Sequence, residues 1–549
     1  MRSLLLATAV LSVFAPNICS AEPNVTTPLS SRQILPSTFK PPQVFQNVNL
    51  LRNINLEKSY VKQSVNVVIE NTDSNPQDEY YVPFEADVMA NVGSFDVKDK
   101  KDPEKGSFEV EAIEFDTYSP TQFFRVRLPE PLKPSTRLTL AISYTVLDAL
   151  QPLPATIEQT DKQYLQYTFN AYSSSVYPTQ KQMTKLKLPT SDVPDYTVLP
   201  GEDNKEFPEK QGSSFTYGPF GSVPAGAAEP VSVRYEFTKP LIHATLLERD
   251  IEVSHWGGNL ATEERYWLVN NAAQLSKNFN RVTWQATQYY SPPTAALKML
   301  TVPLRAGSED AYFTDDIGNV STSRFRSNSR ESLLELRPRY PMFGGWKYSF
   351  RIGWNGNLAK YVRKLSAGDT YVLKVPFLEG PKQNEGIEYE RVEVKVILPE
   401  GAKNVKYETS IPVSSVEQSL HRTFMDTLGR TTLAFTALNV VDQARSEDLI
   451  ITYDYPFTAG LRKPLTLVFG MLAVFTIAWA LGQLDTSIAA GKNNVFKSSS
   501  SSSSSPSSSP SGPSASSARA SSKPHSASSG QSTPVSKGAT TSSTAGASG

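Results

Sequence analysis

One cysteine occurs in 549 residues, Cys19, and it sits inside an N-terminal run that reads as a cleavable leader. The mature chain is then expected to have no thiol, which excludes disulfide staples, thiolate zinc sites and cysteine nucleophiles. Histidine is almost as scarce. Its four copies, His243, His255, His421 and His525, have no second histidine at helical i+3 or i+4 spacing and no HExxH context. There is no GxSxG elbow, no GxGxxG, no GxxxxGK[ST] and no DxD pair, so nucleophile, dinucleotide, P-loop and metal-bound nucleotide-sugar readings lack their motifs. The scattered carboxylates Glu109 and Glu111 fit a solvated strand face. No catalytic set, metal site or cofactor is expected. With 54 basic against 54 acidic residues, the chain has no surplus of positive charge to attract nucleic acid.

What is present begins with one long apolar run, Leu465 to Leu484, uncharged between Arg462-Lys463 and Asp485. As a helix it would be about 30 Å long, the thickness of a bilayer's hydrocarbon core. Its Leu, Ile, Val and Phe side chains supply about 3–6 kcal/mol of insertion free energy, which offsets Gln483 and the two glycines. At the other end, Arg2, the apolar stretch Leu4–Ala15, Pro16 and Cys19-Ser20-Ala21 form a secretory signal, with cleavage expected between Ala21 and Glu22. Together these features imply a single-pass type I membrane protein with its bulk translocated. Basic residues immediately flanking the span lean slightly the other way, whereas the tail beyond Asp485 has basic residues and no acidic one. The signal peptide decides the orientation. A large ectodomain without disulfides fits the lumen of the endoplasmic reticulum.

Between leader and span the dominant pattern has period two. Val65, Val67 and Ile69 alternate with polar neighbours, as do Leu138, Leu140, Ile142, Tyr144 and Val146. The same alternation returns at Val392, Val394, Val396 and Leu398, and at Leu449, Ile451, Tyr453 and Tyr455. These are half-buried antiparallel strands between Pro- and Gly-rich turns. Strand endings resemble one another in the two halves, VRYEFTKPL beside TYDYPFTAGLRKPL. The expected fold is therefore mainly β: a signal peptide at 1–21, two tandem β-sandwich-like domains at 22–240 and 241–461, a transmembrane helix at 465–484 and a Ser-rich disordered tail at 485–549. Helix is expected only in short pieces, one of them over Val416–Leu428 before Gly429.

Two features point to surfaces. The sequons Asn24-Val25-Thr26 and Asn319-Val320-Ser321 mark Asn24 and Asn319 as candidate glycan acceptors on the translocated side. Arg337 to Trp354, RPRYPMFGGWKYSFRIGW, crowds Arg337, Arg339, Tyr340, Phe343 and Trp346 around a Gly344-Gly345 turn. It reads either as a structural hairpin whose aromatics cap the second domain's core or as a partner contact, since Arg, Tyr and Trp are favoured interface anchors.

At these residues a family resemblance emerges. The stretches ERDIEVSHWGGNLATE (Glu248–Glu263), DIGNVSTS (Asp316–Ser323), RPRYPMFGGWK (Arg337–Lys347), ILPEGAKN (Ile397–Asn404) and DTLGR (Asp426–Arg430) resemble the ribophorin I family, in order and ahead of a single span. The likeness covers about residues 165–485, and the first 150 residues share mainly the strand pattern. The resemblance implies an accessory, non-catalytic subunit of the oligosaccharyltransferase, which moves a preassembled glycan from dolichol-pyrophosphate to Asn-X-Ser/Thr. The implied partners are the other subunits, including the catalytic one, nascent polypeptides and the translocon. The competing reading is a stand-alone luminal receptor or chaperone for glycoproteins.

Overall fold

The computed structural model describes residues 34–483 except 202–205, 291, 367 and 424–425. The leader, the Ala21-Glu22 cleavage site, Asn24, Leu484 and the tail lie outside the described residues.

Strands dominate, and the period-two runs form them. Val61, Val65, Val67 and Ile69 are buried along Val61–Asn71, and Val392, Val394, Val396 and Leu398 are fully so. The first half contains β1 (Phe45–Asn55), β2 (Val61–Asn71), β3 (Gln77–Glu85), β4 (Val92–Asp99), β5 (Glu109–Ala112), β6 (Thr121–Leu132), β7 (Arg137–Val146), β8 (Gln151–Pro152), β9 (Tyr164–Asn170), β10 (Gln182–Lys187), β11 (Asp195–Tyr196), β12 (Glu209–Gln211), β13 (Ser214–Phe220) and β14 (Pro230–Glu236). The second contains β15 (Ile242–Ser254), β16 (Asn259–Asn270), β17 (Leu300–Leu304), β18 (Glu309–Asp315), β19 (Arg324–Ser327), β20 (Ser332–Leu336), β21 (Lys347–Asn357), β22 (Val362–Lys364), β23 (Thr370–Pro376), β24 (Glu388–Ile397), β25 (Lys403–Thr409), β26 (Ser415–His421), β27 (Arg430–Val441) and β28 (Asp448–Asp454).

The two series are arranged alike. The first half has a seven-stranded sheet in the order β12-β13-β10-β1-β2-β7-β4, a three-stranded sheet β3-β6-β5 and a four-stranded sheet β8-β9-β14-β11. The second half has β26-β27-β24-β15-β16-β21-β18, extended by Gly318–Asn319, with β17-β20-β19 and β22-β23-β28-β25. Strand for strand, the order repeats. Each large sheet contains one parallel pair, β1 with β10 and β15 with β24. In each half the large sheet faces the two smaller ones over its own core, one drawn chiefly from Phe45–Leu241 and the other from Ile242–Ala459.

A dense seam joins the halves. Asn439 Nδ2 donates to the Ala90 and Val92 carbonyls at 2.6 and 3.1 Å. Tyr60 Oη and Lys58 Nζ reach Asp442 at 2.7 and 3.0 Å. Gly93 approaches the Asn439 backbone so closely that a Cβ would sit 1.8 Å from its carbonyl oxygen.

Among the described residues, the second half also contains three α-helices: α1 (Arg281–Tyr290), α2 (Phe457–Gly460) and α3 (Arg462–Gly482). The apolar run is α3, and none of its residues is buried. It starts ahead of Leu465 because Pro464 is tolerated in a first helical turn, where its missing N–H would have no partner anyway.

Two expectations are corrected. Val416–Leu428 does not begin as a helix: β26 spans Ser415–His421 and pairs along β27 from Ser415↔Thr436 to His421↔Arg430. Its residues are mostly exposed, so a helix there would have had little apolar face to bury, and the open edge of β27 supplies backbone partners instead. Glu111 is not simply a solvated carboxylate. It binds Arg125 Nη2 at 2.5 Å, and Arg125, buried on β6, also meets Glu79 at 3.3 Å.

Candidate functional site: the Asn319 loop and the aromatic turn

Asn319 ends a tight turn after β18 and is exposed, as is Ser321 of its sequon. The turn is fastened from within. Asp315 Oδ1 accepts from the Ile317 and Gly318 N–H groups at 3.0 and 3.1 Å. Arg339 then closes on it as a fork, with Nε to Asp315 Oδ2 at 2.5 Å and Nη2 to Oδ1 at 3.1 Å, and Nη2 also donates to the Gly318 and Asn319 carbonyls. Burial alone would raise the Asp315 pKa, but Arg339 and the two backbone donors hold it below the usual carboxylate range. Arg339 is thus committed to shaping the Asn319 loop.

The other members of the aromatic turn divide by depth. Arg337 is exposed, and its carbonyl accepts Thr322 Oγ1 at 2.7 Å. Tyr340 is exposed and packs edge-on against Trp346 and Tyr348 at 5.8 and 5.7 Å. Phe343 is buried and meets Trp284 of α1 at 5.3 Å, while half-buried Trp346 adjoins it at 5.6 Å. The segment is no hairpin: it crosses from β20 in the three-stranded sheet to β21 in the eight-stranded one. Gly344 is required by contact, since a Cβ there would lie 2.1 Å from the Ala273 carbonyl oxygen, and Gly345 by its φ of +77°. Phe343 and Trp346 therefore build a satellite core with Trp284 and Phe279, and exposed Tyr340 packs edge-on against its Trp346.

Beside Tyr340 lies a hollow of about 470 Å³ lined by Trp267, Asp315, Asp316, Ile317, Tyr348 and Ser349, among others. Helix α1, which packs its Trp284 on Phe343, was not evident from the sequence. Val282, Tyr289 and Tyr290 are 76, 85 and 82% exposed. The available signal was Asn280, whose side chain accepts from the Val282 and Thr283 N–H groups and caps the helix. Among the described residues, no group of three or more His, Cys, Asp or Glu side chains is arranged to hold a metal ion.

Comparison with known proteins gives a consistent picture. The family model described as Ribophorin I matches residues 45–482, further toward the N-terminus than the short motifs reach. Dolichyl-diphosphooligosaccharide–protein glycosyltransferase subunit 1 of Schizosaccharomyces pombe is 30% identical over 443 residues, covering 80% of this chain and 96% of that protein. The Caenorhabditis elegans subunit 1 is 32% identical over 444 residues, 80% of this chain and 73% of the relative. Subunit 1B of Arabidopsis thaliana is 30% identical over 458 residues, 82 and 96% of the two chains. Among solved structures, native leukotriene A4 hydrolase from Saccharomyces cerevisiae aligns with 39% of this chain and 32% of its own at 13% identity and a TM-score of 0.26, a level that carries no inference. With a match running from the first core strand to the end of the apolar helix, the chain belongs to the ribophorin I family.

Proposed function

We propose that this chain is a non-catalytic subunit of the oligosaccharyltransferase, supporting transfer of a preassembled glycan from dolichol-pyrophosphate to Asn of Asn-X-Ser/Thr in nascent proteins. The observation that carries the reading is the run of relatives named as subunit 1 of that glycosyltransferase, each aligned over about four-fifths of this chain. A lipid-linked donor calls for a reaction centre walled by several membrane helices, and the described residues contain one helix long and apolar enough to cross a bilayer. The chain's part in the complex is to hold subunits and present polypeptide. Its partners are the catalytic subunit, the remaining subunits, nascent chains and the translocon.

The matching topology is type I in the endoplasmic reticulum membrane, with 22–240 and 241–461 luminal as two β units and 485–549 cytosolic. The repeated strand order supports the division at 240. Arg337 and Tyr340 serve as partner contacts over a floor of Phe343 and Trp346, with Arg339 holding the Asn319 acceptor loop beside them. Pull-down of the tagged full chain in mild detergent, read by mass spectrometry, tests the assignment. Recovery of a multi-subunit glycosyltransferase is expected. A monodisperse single chain, with no change in substrate glycosylation when the protein is depleted, favours the stand-alone receptor instead.

A further inference from the structure

The repeated topology places two arginines at equivalent points. Arg52 on β1 and Arg249 on β15 lie at the same interval beyond a bulge, which falls between Asn47 and Asn49 in one strand and between Ala244 and Leu246 in the other. Both are buried, with 8 and 1% exposure. Their charges are met differently. Arg249 faces Glu264, directly opposite on β16, and Glu379, which Nη2 binds at 2.9 Å. Opposite Arg52 stands Val65, and the position after β9 that corresponds to Glu379 after β23 is Ser173.

Arg52 has only neutral partners. Its Nε donates to Gln63 Oε1 at 2.9 Å, and Nη1 to the Asn170 and Tyr172 carbonyls at 2.8 and 3.4 Å. Gln63 is in turn held by Tyr144 Oη at 2.9 Å and donates to Tyr167 Oη at 3.2 Å. No carboxylate among the described residues forms an ion pair with Arg52. A buried guanidinium without a counter-anion is costly to keep, because its charge has left water and regained no ionic partner.

Arg52 also lines a cleft of about 740 Å³, the size of a ligand site. One wall is β3 from Tyr80 to Glu85, the other is β9 from Gln166 to Asn170, and the large sheet is the floor. In the second half the corresponding gap, between β17 and β23, is occupied by the chain itself. There Phe377, Leu378 and Glu379 are buried, and Lys382 N donates to the Thr301 carbonyl on β17 at 2.8 Å. The segment Phe377–Lys382 brings the carboxylate to Arg249 as it fills the space.

We infer that the cleft of the first half is a binding site for an extended polypeptide segment bearing an acidic side chain, whose carboxylate pairs with Arg52 as Glu379 pairs with Arg249. Tyr80, Phe84, Tyr167 and Phe169 give apolar walls for the residues flanking the acid, and the free edge of β3, with the stretch Tyr167–Asn170 of β9 beyond its short pairing with β8, offers backbone partners. The site is independent of membership in the complex, because it follows from the two halves of one chain.

The test uses the full chain in mild detergent and a fluorescein-labelled peptide with the sequence of Val375–Lys382, VPFLEGPK, acetylated and amidated, followed by fluorescence anisotropy. Saturable binding is expected, with the Glu-to-Gln peptide about tenfold weaker or worse, as for loss of a charge-assisted bond. Ser173→Glu should supply the missing anion from within: it should abolish peptide binding and raise the melting temperature. Arg52→Gln should remove the preference for the acidic peptide. Equal binding of the two peptides, absence of binding to the wild type, or unchanged binding by Ser173→Glu would each overturn the inference.

Discussion

Arg249 offers the sharpest test of how the second half is held together. Its guanidinium is 1% exposed between Glu264, which is fully buried, and Glu379, which is nearly so. Burial by itself would lower the arginine's pKa, but the two carboxylates more than reverse this, so it stays a cation. Tyr266 Oη adds a donor to Glu264 at 2.7 Å. Replacing Arg249 by Met keeps most of the side-chain volume and strands two carboxylates in the core. Breaking a buried pair in this way costs about 3–5 kcal/mol. At roughly 2–4 °C per kcal/mol for a unit of this size, the melting temperature should fall by about 6–20 °C. Thermal unfolding of the full chain in detergent, followed by intrinsic fluorescence, reads this directly. The control is Arg249→Met/Glu264→Leu/Glu379→Leu, which removes all three charges and leaves the Tyr266 hydroxyl unpaired, at about 1–3 kcal/mol. It should be more stable than the single variant. A single variant that loses under about 3 °C, or a triple variant no better than the single, would refute the account of an obligatory ion triad.

Four other outcomes are expected. The Asp426 carboxylate accepts from Thr423, pairs with Arg430 and Lys463, and is pulled down to about 2 although burial pushes it upward. Its folded pKa lies below the unfolded value near 3.8, so its contribution of roughly 1 kcal/mol after screening is fully present above about pH 5 and lost progressively as pH falls to about 1; Asp426→Asn should lower stability at pH 6, and its difference from the wild type should shrink to less than half by pH 2 in urea titrations. Gly93→Ala would drive a methyl into the Asn439 carbonyl and should cost about 1–3 kcal/mol or more by overpacking, seen in calorimetry as a broadened or divided transition; an unchanged single peak counts against the seam. Endoglycosidase should shift the band of the wild type but not of a chain carrying Asn24→Gln and Asn319→Gln, and Arg339→Ala should speed amide exchange at residues 316–319, two of whose carbonyls it ties back through its side-chain donors; an unshifted wild-type band or unchanged exchange refutes these two readings respectively.

The strands were legible because burial on one face writes itself into alternation. Val392, Val394 and Val396 need no tertiary information to be placed inward. The order in which those strands pair was not legible, because it is set by non-local contacts such as the parallel alignment of β15 with β24, more than a hundred residues apart. The misplaced helix at Val416–Leu428 shows the same limit from the other side, since local propensity there was weak and a free sheet edge decided the outcome. Of the surface residues singled out, Arg339 and Phe343 proved to be occupied internally, Arg339 by the Asn319 loop and Phe343 by Trp284. Composition around a turn reveals crowding but not direction. The buried arginines were missed although a signal existed: in Ile242–Ser254, Arg249 falls at an inward position between Leu247 and Ile251, and in Phe45–Asn55, Arg52 falls between Leu50 and Ile54. A charge in phase with the apolar face must be paired or must wait for a pair.

The way the apolar helix leaves the sheets has a mechanical consequence. Ala459 of α2 is buried against Gly401, where a Cβ would come within 2.9 Å of the alanine methyl, and Lys463 in the first turn of α3 binds Asp426 at 3.3 Å. Only Leu461 separates the two helices. The helix therefore works as a keyed shaft and not as a tether, so that its azimuth about its own axis sets the compass bearing of everything before it. One residue inserted at Leu461 advances that azimuth by about 100°, and would turn the Asn319 face of the molecule toward a different neighbour at the cost of the Lys463–Asp426 contact.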